Sequence, residues 1–149
     1  YRNLMLDLCN TWENSTYSFV IDTEIQFSES IIQDMIDLSI NNPDYTMITP
    51  YGTVQYEKRY YDTFAFHGLN MPPGKFPYND TNTVIEVLSA FAGFVLILSK
   101  NLKNCKWGVT KDSIKNVSEH NFLCEQLRQF GKIVCTKSIL VRWKVGKSL

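Results

Sequence analysis

Helix-like and strand-like segments alternate along the first third of the chain, and this alternation restricts the possible folds more than any other feature. Leu4 and Leu8, four residues apart, predict the end of an amphipathic helix, and YSFVI at 17–21 predicts a strand. YTMIT at 45–49 predicts a second strand. The segment 30–40 predicts a helix whose buried stripe consists of Ile32, Met35, Ile36 and Ile40. Such alternation is typical of an α/β domain with a mixed, mainly parallel sheet flanked by helices.

The rest of the chain is predicted to contain one long irregular segment followed by strands and a helix. Residues 50–83 show no sustained period and carry five of the eight tyrosines. An irregular stretch of this length is more often a functional loop system than a simple connection. The apolar run GFVLIL at 93–98 predicts a buried strand, and 119–130 predicts a last helix that ends at Gly131. The segments KIVCT and ILVRW that follow predict two closing strands.

Charge and composition exclude several classes of protein. The 149 residues carry 15 basic and 15 acidic side chains, so a partner bound through nucleic-acid phosphates is not expected. No apolar run approaches the roughly 20 residues that span a bilayer. The length predicts a single domain over 1–149. The four cysteines have no metal-binding spacing and are expected to be reduced core residues.

Two acidic residues stand directly after the first predicted strand. Asp22 and Glu24 are separated by one residue, and on extended backbone their side chains project to the same face. Ligands of α/β sheets gather at the carboxyl ends of strands, which is where this pair is expected. Neighbouring carboxylates repel each other unless a cation, a proton or a basic side chain separates them, and a hard divalent ion meets that need. The alternative is a solvated loop start with two unrelated surface acids.

Several segments, taken in order, resemble one enzyme family. FVIDTE at 19–24, preceded by YRN at 1–3, resembles the D-x-D region of GT-A type nucleotide-sugar glycosyltransferases. The segments YYDTFAFHG (60–68), VLSAFAGFVLI (87–97) and SEHNFLCEQLRQFG (118–131) extend the likeness to capsule-type mannosyltransferases of fungi and, more closely, to glycosyltransferase domains of large algal viruses. The resemblance implies a GT-A, Rossmann-like fold. It also implies transfer of a hexose or deoxyhexose from a nucleotide-diphosphate sugar to a glycan hydroxyl, and the enzymes it resembles suggest retention of configuration.

The resemblance implies a donor side built around a metal ion. Asp22 and Glu24 would hold Mn²⁺ or Mg²⁺ against the donor diphosphate, and His120 would be a further metal ligand. Glu24 departs from the commoner aspartate, but its longer side chain still chelates. Arg2 resembles a family arginine that reaches the donor, and Gly93 fits a place where backbone comes close to the sugar. The simpler alternatives are a surface arginine, a packing glycine and a hydrogen-bonding histidine.

Two further acids are expected on the acceptor side. Asp62 would accept hydrogen bonds from sugar hydroxyls, with Tyr60 or Tyr61 offering a stacking face. Glu119 matches the acidic position that faces the reacting sugar and would be the general base of an inverting reaction. In a retaining reaction it would orient the acceptor or support the oxocarbenium-like state. Turn capping by Asp62 and helix capping by Glu119 are the simpler alternatives.

A full GT-A domain starts with a nucleotide-binding strand and loop, which here would lie before Tyr1. The chain is therefore expected to be the C-terminal metal, sugar and acceptor portion of the enzyme. A UDP-sugar is favoured over a GDP-sugar as the donor, and a glycan is the expected acceptor. The compartment stays open between the cytoplasm, which suits a virus-encoded enzyme, and the Golgi lumen.

Two other functions are compatible with the sequence. A metal-dependent phosphodiesterase also uses paired acids, although it needs more clustered acids and usually a basic surface. A non-catalytic sugar-binding module is favoured by the tyrosine-rich middle and by the missing nucleotide-binding half. Replacement of Asp22 separates these readings, because transfer and hydrolysis should collapse while plain glycan binding should survive.

Overall fold

The structure of the chain is a computed structural model that describes residues 11, 14–54, 58–103, 105–108 and 118–144. Within these ranges the chain forms a seven-stranded mixed sheet with three helices. The helix predicted near its start and the predicted donor-binding Arg2 lie outside the described residues. In chain order the elements are β1 (Tyr17–Ile21), β2 (Ile25–Gln26), α1 (Ser30–Asn41), β3 (Tyr45–Val54), β4 (His67–Gly68), β5 (Val84–Ser89), β6 (Phe94–Leu98), α2 (Ser99–Leu102), α3 (Glu119–Leu127) and β7 (Lys132–Trp143).

The strands follow the order β1–β6–β3–β7–β5–β4 across the sheet, and β2 pairs with the end of β7. β3 and β7 pair in parallel, whereas β6 lies antiparallel between β1 and β3. The other strand pairs in the described ranges are antiparallel as well. The mixed α/β sheet is confirmed, but the prediction that it is mainly parallel is wrong. β1, β3 and β7 do run in one direction, yet β6 inserts between two of them, and sequence periodicity does not show which strands become neighbours.

β3 and β6 supply the centre of the hydrophobic core. Met47 and Ile48 on β3 are completely buried, as are Val95 and Ile97 on β6. Met47 lies opposite Ile97 in the ladder, so one pair of neighbouring strands carries much of the buried apolar surface. Strands that are covered on both faces have continuous apolar sequences, which is why β3 and β6 could be predicted from the sequence.

Helix α1 contacts β3 and β7 through a different face from the predicted one. The expected buried stripe was Ile32, Met35, Ile36 and Ile40, but Ile32 and Ile40 are exposed and Ile31 is buried with Met35. Two apolar rows on this helix have the same four-residue spacing, so periodicity alone did not distinguish them. None of the helices in the described part of the chain has the length and apolar character needed to cross a membrane.

Helix α3 contacts β5 and ends three residues earlier than predicted, at Leu127. Leu123 and Leu127 are fully buried, whereas Phe130, expected on the same side, is about half exposed. Gly131 follows with a φ of +157°, and a Cβ at this position would collide with the carbonyl oxygen of Asp44. The glycine therefore lets the chain turn closely past Asp44 into β7.

The segment after β3 is largely irregular, as predicted, and aromatic packing stabilises it. Tyr60 is only 2% exposed and stacks on Phe76, with ring centroids 4.8 Å apart. The edges of Tyr51 and Phe66 meet the same ring at 5.6 Å and 5.3 Å. The prediction that Tyr60 offers a stacking face to a sugar is wrong, because its ring is enclosed by its neighbours.

Candidate functional site

Asp22 lies at the carboxyl end of β1, where the chain leaves the sheet. Its backbone N–H donates to the carbonyl oxygen of Gly93 at 2.8 Å, which ties the end of β1 to the start of β6. The carbonyl of Asp22 accepts from the Ile25 N–H at 3.1 Å, so Glu24 lies in a tight turn. The predicted extended backbone between the two acids is therefore wrong. The negative charges of both acids nevertheless raise the pKa of the same Tyr61 hydroxyl, after the larger effects of its burial and of Asp62.

A tight turn precedes β6, and two consecutive residues in it have positive φ. The Phe94 N–H donates to the Phe91 carbonyl at 3.1 Å, and φ is +56° at Ala92 and +67° at Gly93. Positive φ at both central positions defines a type I′ turn. Glycine adopts this backbone without steric cost, whereas the left-handed conformation costs a residue such as Ala92 roughly 1–2 kcal/mol. Contacts from elsewhere in the fold must offset that cost.

Gly93 has no room for a side chain. A Cβ at this position would lie 2.6 Å from Cδ1 of Ile25 and 2.8 Å from Oη of Tyr61. The positive φ and the close approach of these two side chains are sufficient reasons for a glycine here. Contact between the Gly93 backbone and a sugar stays a prediction.

Asp62 is the residue that holds Ala92 in place. Its Oδ2 accepts the Ala92 N–H at 3.0 Å, and its Oδ1 accepts the Ala65 N–H at 3.3 Å. Burial raises the pKa of the Asp62 carboxyl above its ordinary value, although the two backbone donors oppose the shift. The negative charges of Asp22 and Glu119 raise this pKa further. Asp62 therefore caps the turn and also belongs to a group of interacting acids.

Tyr61 occupies the space between this turn and the acids. Its ring contacts Trp143 with centroids 5.3 Å apart, and the side chain is half-buried. Burial raises the pKa of the Tyr61 hydroxyl, and the charges of Asp62, Asp22 and Glu24 raise it further. The hydroxyl therefore stays protonated at neutral pH and is available as a hydrogen-bond donor.

Glu119 and His120 approach the same turn from helix α3. Glu119 lies in the first helical turn, where a negative charge interacts favourably with the helix dipole, and its side chain is 44% exposed. His120 is buried, and its ring stacks on Phe91 with centroids 3.8 Å apart. Trp107 meets the His120 ring edge to face at 5.0 Å. The start of α3 thus packs against Phe91, the first residue of the turn that contains Ala92 and Gly93.

The predicted metal ligands are brought together only in part. Asp22 and Glu24 lie near one Tyr61 hydroxyl, whereas His120 is packed between aromatic rings. Within the ranges that the structure describes, no group of three or more His, Cys, Asp or Glu side chains is arranged to hold a metal ion. A metal site in this part of the chain would therefore rely on the two acids together with oxygen atoms from a ligand or from water.

Two members of this site were not assigned by sequence reasoning. Ala92 was missed because an alanine gives no sign of positive φ, and only the adjacent Gly93 hinted at a turn. Tyr61 was expected as a stacking surface, but the structure places its hydroxyl among the acids. The sequence signal that could have assigned Tyr61 to the site was its neighbour Asp62, because consecutive residues of an irregular segment lie in the same surroundings.

Comparison with known proteins indicates a fold but no family. Neither the protein-family models nor the curated proteins contain a match to this sequence. The crystal structure of A197 from STIV, a virus protein, matches with a TM-score of 0.62 at 14% sequence identity. The match covers 97% of this chain and 66% of A197, so the chain spans just under two thirds of that protein's length. This likeness shows a mixed α/β fold and carries no information about function.

Proposed function

We propose that the chain is part of a metal-dependent GT-A glycosyltransferase that moves a hexose or deoxyhexose from a nucleotide-diphosphate sugar to a glycan hydroxyl. The observation that carries the proposal is the convergence of three sequence-distant segments on one turn in a fourth segment. Asp22 binds Gly93 through its backbone, Asp62 binds Ala92, and His120 next to Glu119 stacks on Phe91. These are the segments through which the sequence resembles the family.

Asp22 and Glu24 are suitable ligands for a hard divalent cation. Both side chains supply carboxylate oxygens, the ligands that Mn²⁺ and Mg²⁺ prefer. Asp22 is half-buried and Glu24 is exposed, so the pair is open to a ligand from solvent. Burial raises the pKa of Asp62, and the negative charges of Asp22 and Glu119 raise it further by repelling the Asp62 charge. A cation bound at this edge of the sheet would relieve that repulsion.

A bound divalent cation would act as a Lewis acid toward the departing nucleoside diphosphate. Side chains of the protein would bind the cation and the ligand, and would orient the acceptor. Asp22 and Glu24 hold the cation, and the Tyr61 hydroxyl donates a hydrogen bond toward the bound ligand. Glu119, exposed at the start of α3, orients the acceptor hydroxyl or takes its proton. Asp62 keeps the Ala92–Gly93 turn in its left-handed conformation, because both of its oxygens already accept backbone N–H groups.

Calorimetric titration with UDP and with GDP, in the presence and absence of Mn²⁺, tests the proposal. The protein used should be the longest natural form that contains this chain. We expect binding only with Mn²⁺, tighter for UDP than for GDP, and its loss in Asp22→Asn. Donor turnover should fall at least ~100-fold in the same variant, the scale of losing a main electrostatic stabiliser. Asp34→Asn, at an exposed position on α1, is the matched control and should behave like the wild type.

A non-catalytic sugar-binding module is the second candidate. It is favoured by the lack of a three-residue metal cluster in the described ranges and by the engagement of both Asp62 oxygens with backbone donors. The same titration separates the two functions. Glycan binding that persists in Asp22→Asn, with no metal-dependent nucleotide binding in the wild type, would replace the transferase proposal with this one.

A further inference from the structure

A second groove lies beside the acidic site, on the outward face of the β2–β7 pair. Its volume is about 360 Å³, within the range of small-molecule sites. Gln26 on β2 lies opposite Arg142 on β7, and both side chains are exposed. The groove is completed by Phe27, Ser28 and Leu140.

The lining of this groove combines an apolar surface with directional polar groups. Phe27 is 38% exposed and Leu140 is 41% exposed, so both present apolar surface to solvent. Gln26 supplies an amide, Ser28 a hydroxyl, and Arg142 a planar guanidinium that binds carboxylates through paired hydrogen bonds. In the described part of the chain the Arg142 guanidinium forms no ion pair. A sugar ring with an acidic substituent matches this combination, because it offers an apolar face, hydroxyl groups and a negative charge.

The groove is connected directly to the acidic site. The ring of Phe27 meets that of Phe94, the residue after Gly93, with centroids 4.8 Å apart. Gln26 is only two residues from Glu24 along the chain. The groove therefore adjoins the segment that carries the two proposed metal ligands.

We propose that this groove is an acceptor subsite for an acidic sugar unit, with Arg142 pairing with the acid group and Phe27 receiving the apolar face of the ring. The inference rests on the proposed transferase function for its place in the reaction, but binding itself needs neither donor nor metal. The groove lined by Thr63, Phe64, Pro73 and Gly74 is the comparison surface. Its volume is about 440 Å³, but it has no charged side chain.

Titration with two glycosides that differ in one group tests the subsite. Methyl β-D-glucuronide carries a carboxylate where methyl β-D-glucoside carries a hydroxymethyl group. Each is added to the isotope-labelled chain while backbone amide resonances are followed. We expect the glucuronide to shift resonances of the Arg142 groove and to bind about tenfold more tightly than the glucoside, the scale of one charge-assisted pair. Arg142→Gln should abolish this preference, whereas Arg128→Gln, an exposed control on the surface after α3, should retain it.

Equal binding of the two glycosides, binding to neither, or shifts confined to the Phe64 groove would each overturn the assignment. An Arg142→Gln variant with the wild-type preference would overturn it as well, since the same spectra show whether the variant is folded. The result is independent of the nucleotide titration. Glucuronide binding without metal-dependent UDP binding leaves the subsite and removes the transferase function, and the reverse result removes only the subsite.

Discussion

Replacement of Gly93 by alanine tests whether the turn before β6 is as tightly constrained as its geometry indicates. The φ of +67° places this residue in the left-handed region, where a Cβ costs roughly 1–2 kcal/mol. The new methyl group would also lie 2.6 Å from Cδ1 of Ile25 and 2.8 Å from Oη of Tyr61. Neither side chain withdraws freely, because Ile25 is buried and the Tyr61 ring packs against Trp143.

Such overpacking costs about 1–3 kcal/mol in a well-packed region. The two contributions together predict that Gly93→Ala lowers the free energy of unfolding by about 2–5 kcal/mol. For a chain of this size that is a decrease in Tm of about 5–15 °C. Urea unfolding gives the free energy directly, and thermal unfolding followed by circular dichroism gives the change in Tm.

Gly74→Ala is the matched control for the backbone contribution. Gly74 also has a positive φ, +76°, but the nearest atom to its added Cβ is the Thr63 carbonyl oxygen at 3.2 Å. We therefore expect Gly74→Ala to lower the free energy of unfolding by about 1–2 kcal/mol, close to the backbone cost alone. If Gly93→Ala cost no more than Gly74→Ala, the argument for tight packing of Ile25 and Tyr61 on the turn would be refuted.

Two further predictions concern ionisable groups. The raised pKa of Asp62 means that the folded state keeps this proton to a higher pH than the unfolded state does, so its contribution to stability falls as pH rises from about 4 through the folded pKa. When the free energy of unfolding is measured in urea at a series of pH values, Asp62→Asn should reduce this decline. Asp44→Asn should not reduce it, because this variant removes an exposed carboxyl whose pKa is lowered by Lys132. Burial raises the pKa of Cys124 to about 11 and that of Cys135 to about 12. Both thiols should resist Ellman's reagent at pH 8 in the folded protein and react in urea, and rapid reaction in the folded state would contradict their burial.

The local sequence pattern predicted the helices and strands whose own residues show the expected spacing of apolar side chains. Runs such as 17–21, 45–49 and 93–98 became strands because each is rich in strand-forming apolar residues, although those of β1 are only half-buried or exposed. β2 and β4 have only two residues each, and they exist because β7 and β5 lie beside them. No local signal encodes such pairing, so neither strand was predicted.

The contacts of the candidate site were not predictable for the same reason, because they join residues that are distant in the sequence. The pairing of Asp62 with Ala92 joins residues thirty positions apart, and its hydrogen bond exists only after the sheet has formed. Residue types identified Asp22, Asp62 and Glu119 as candidates, and the fold brings their charges into interaction. Periodicity failed for Glu24, because it assumed extended backbone where the chain makes a turn. The acids stay predicted site residues, and the turn to which they are connected could not be predicted from local sequence.

The charge of Asp62 is the feature of this site that a structural role alone does not explain. The Ala92 and Ala65 N–H groups require two acceptor oxygens, which a carboxyl group offers whether or not it is charged, and burying a charge close to Asp22 and Glu119 is costly. Within the described ranges Asp62 forms no ion pair with a basic side chain, so a proton or a cation from solution would compensate its charge. Asp62→Asn therefore divides the two roles. If the variant is folded but loses Mn²⁺-dependent UDP binding, the site uses the charge. If binding is unchanged, Asp62 is a turn cap and the cation depends on Asp22 and Glu24.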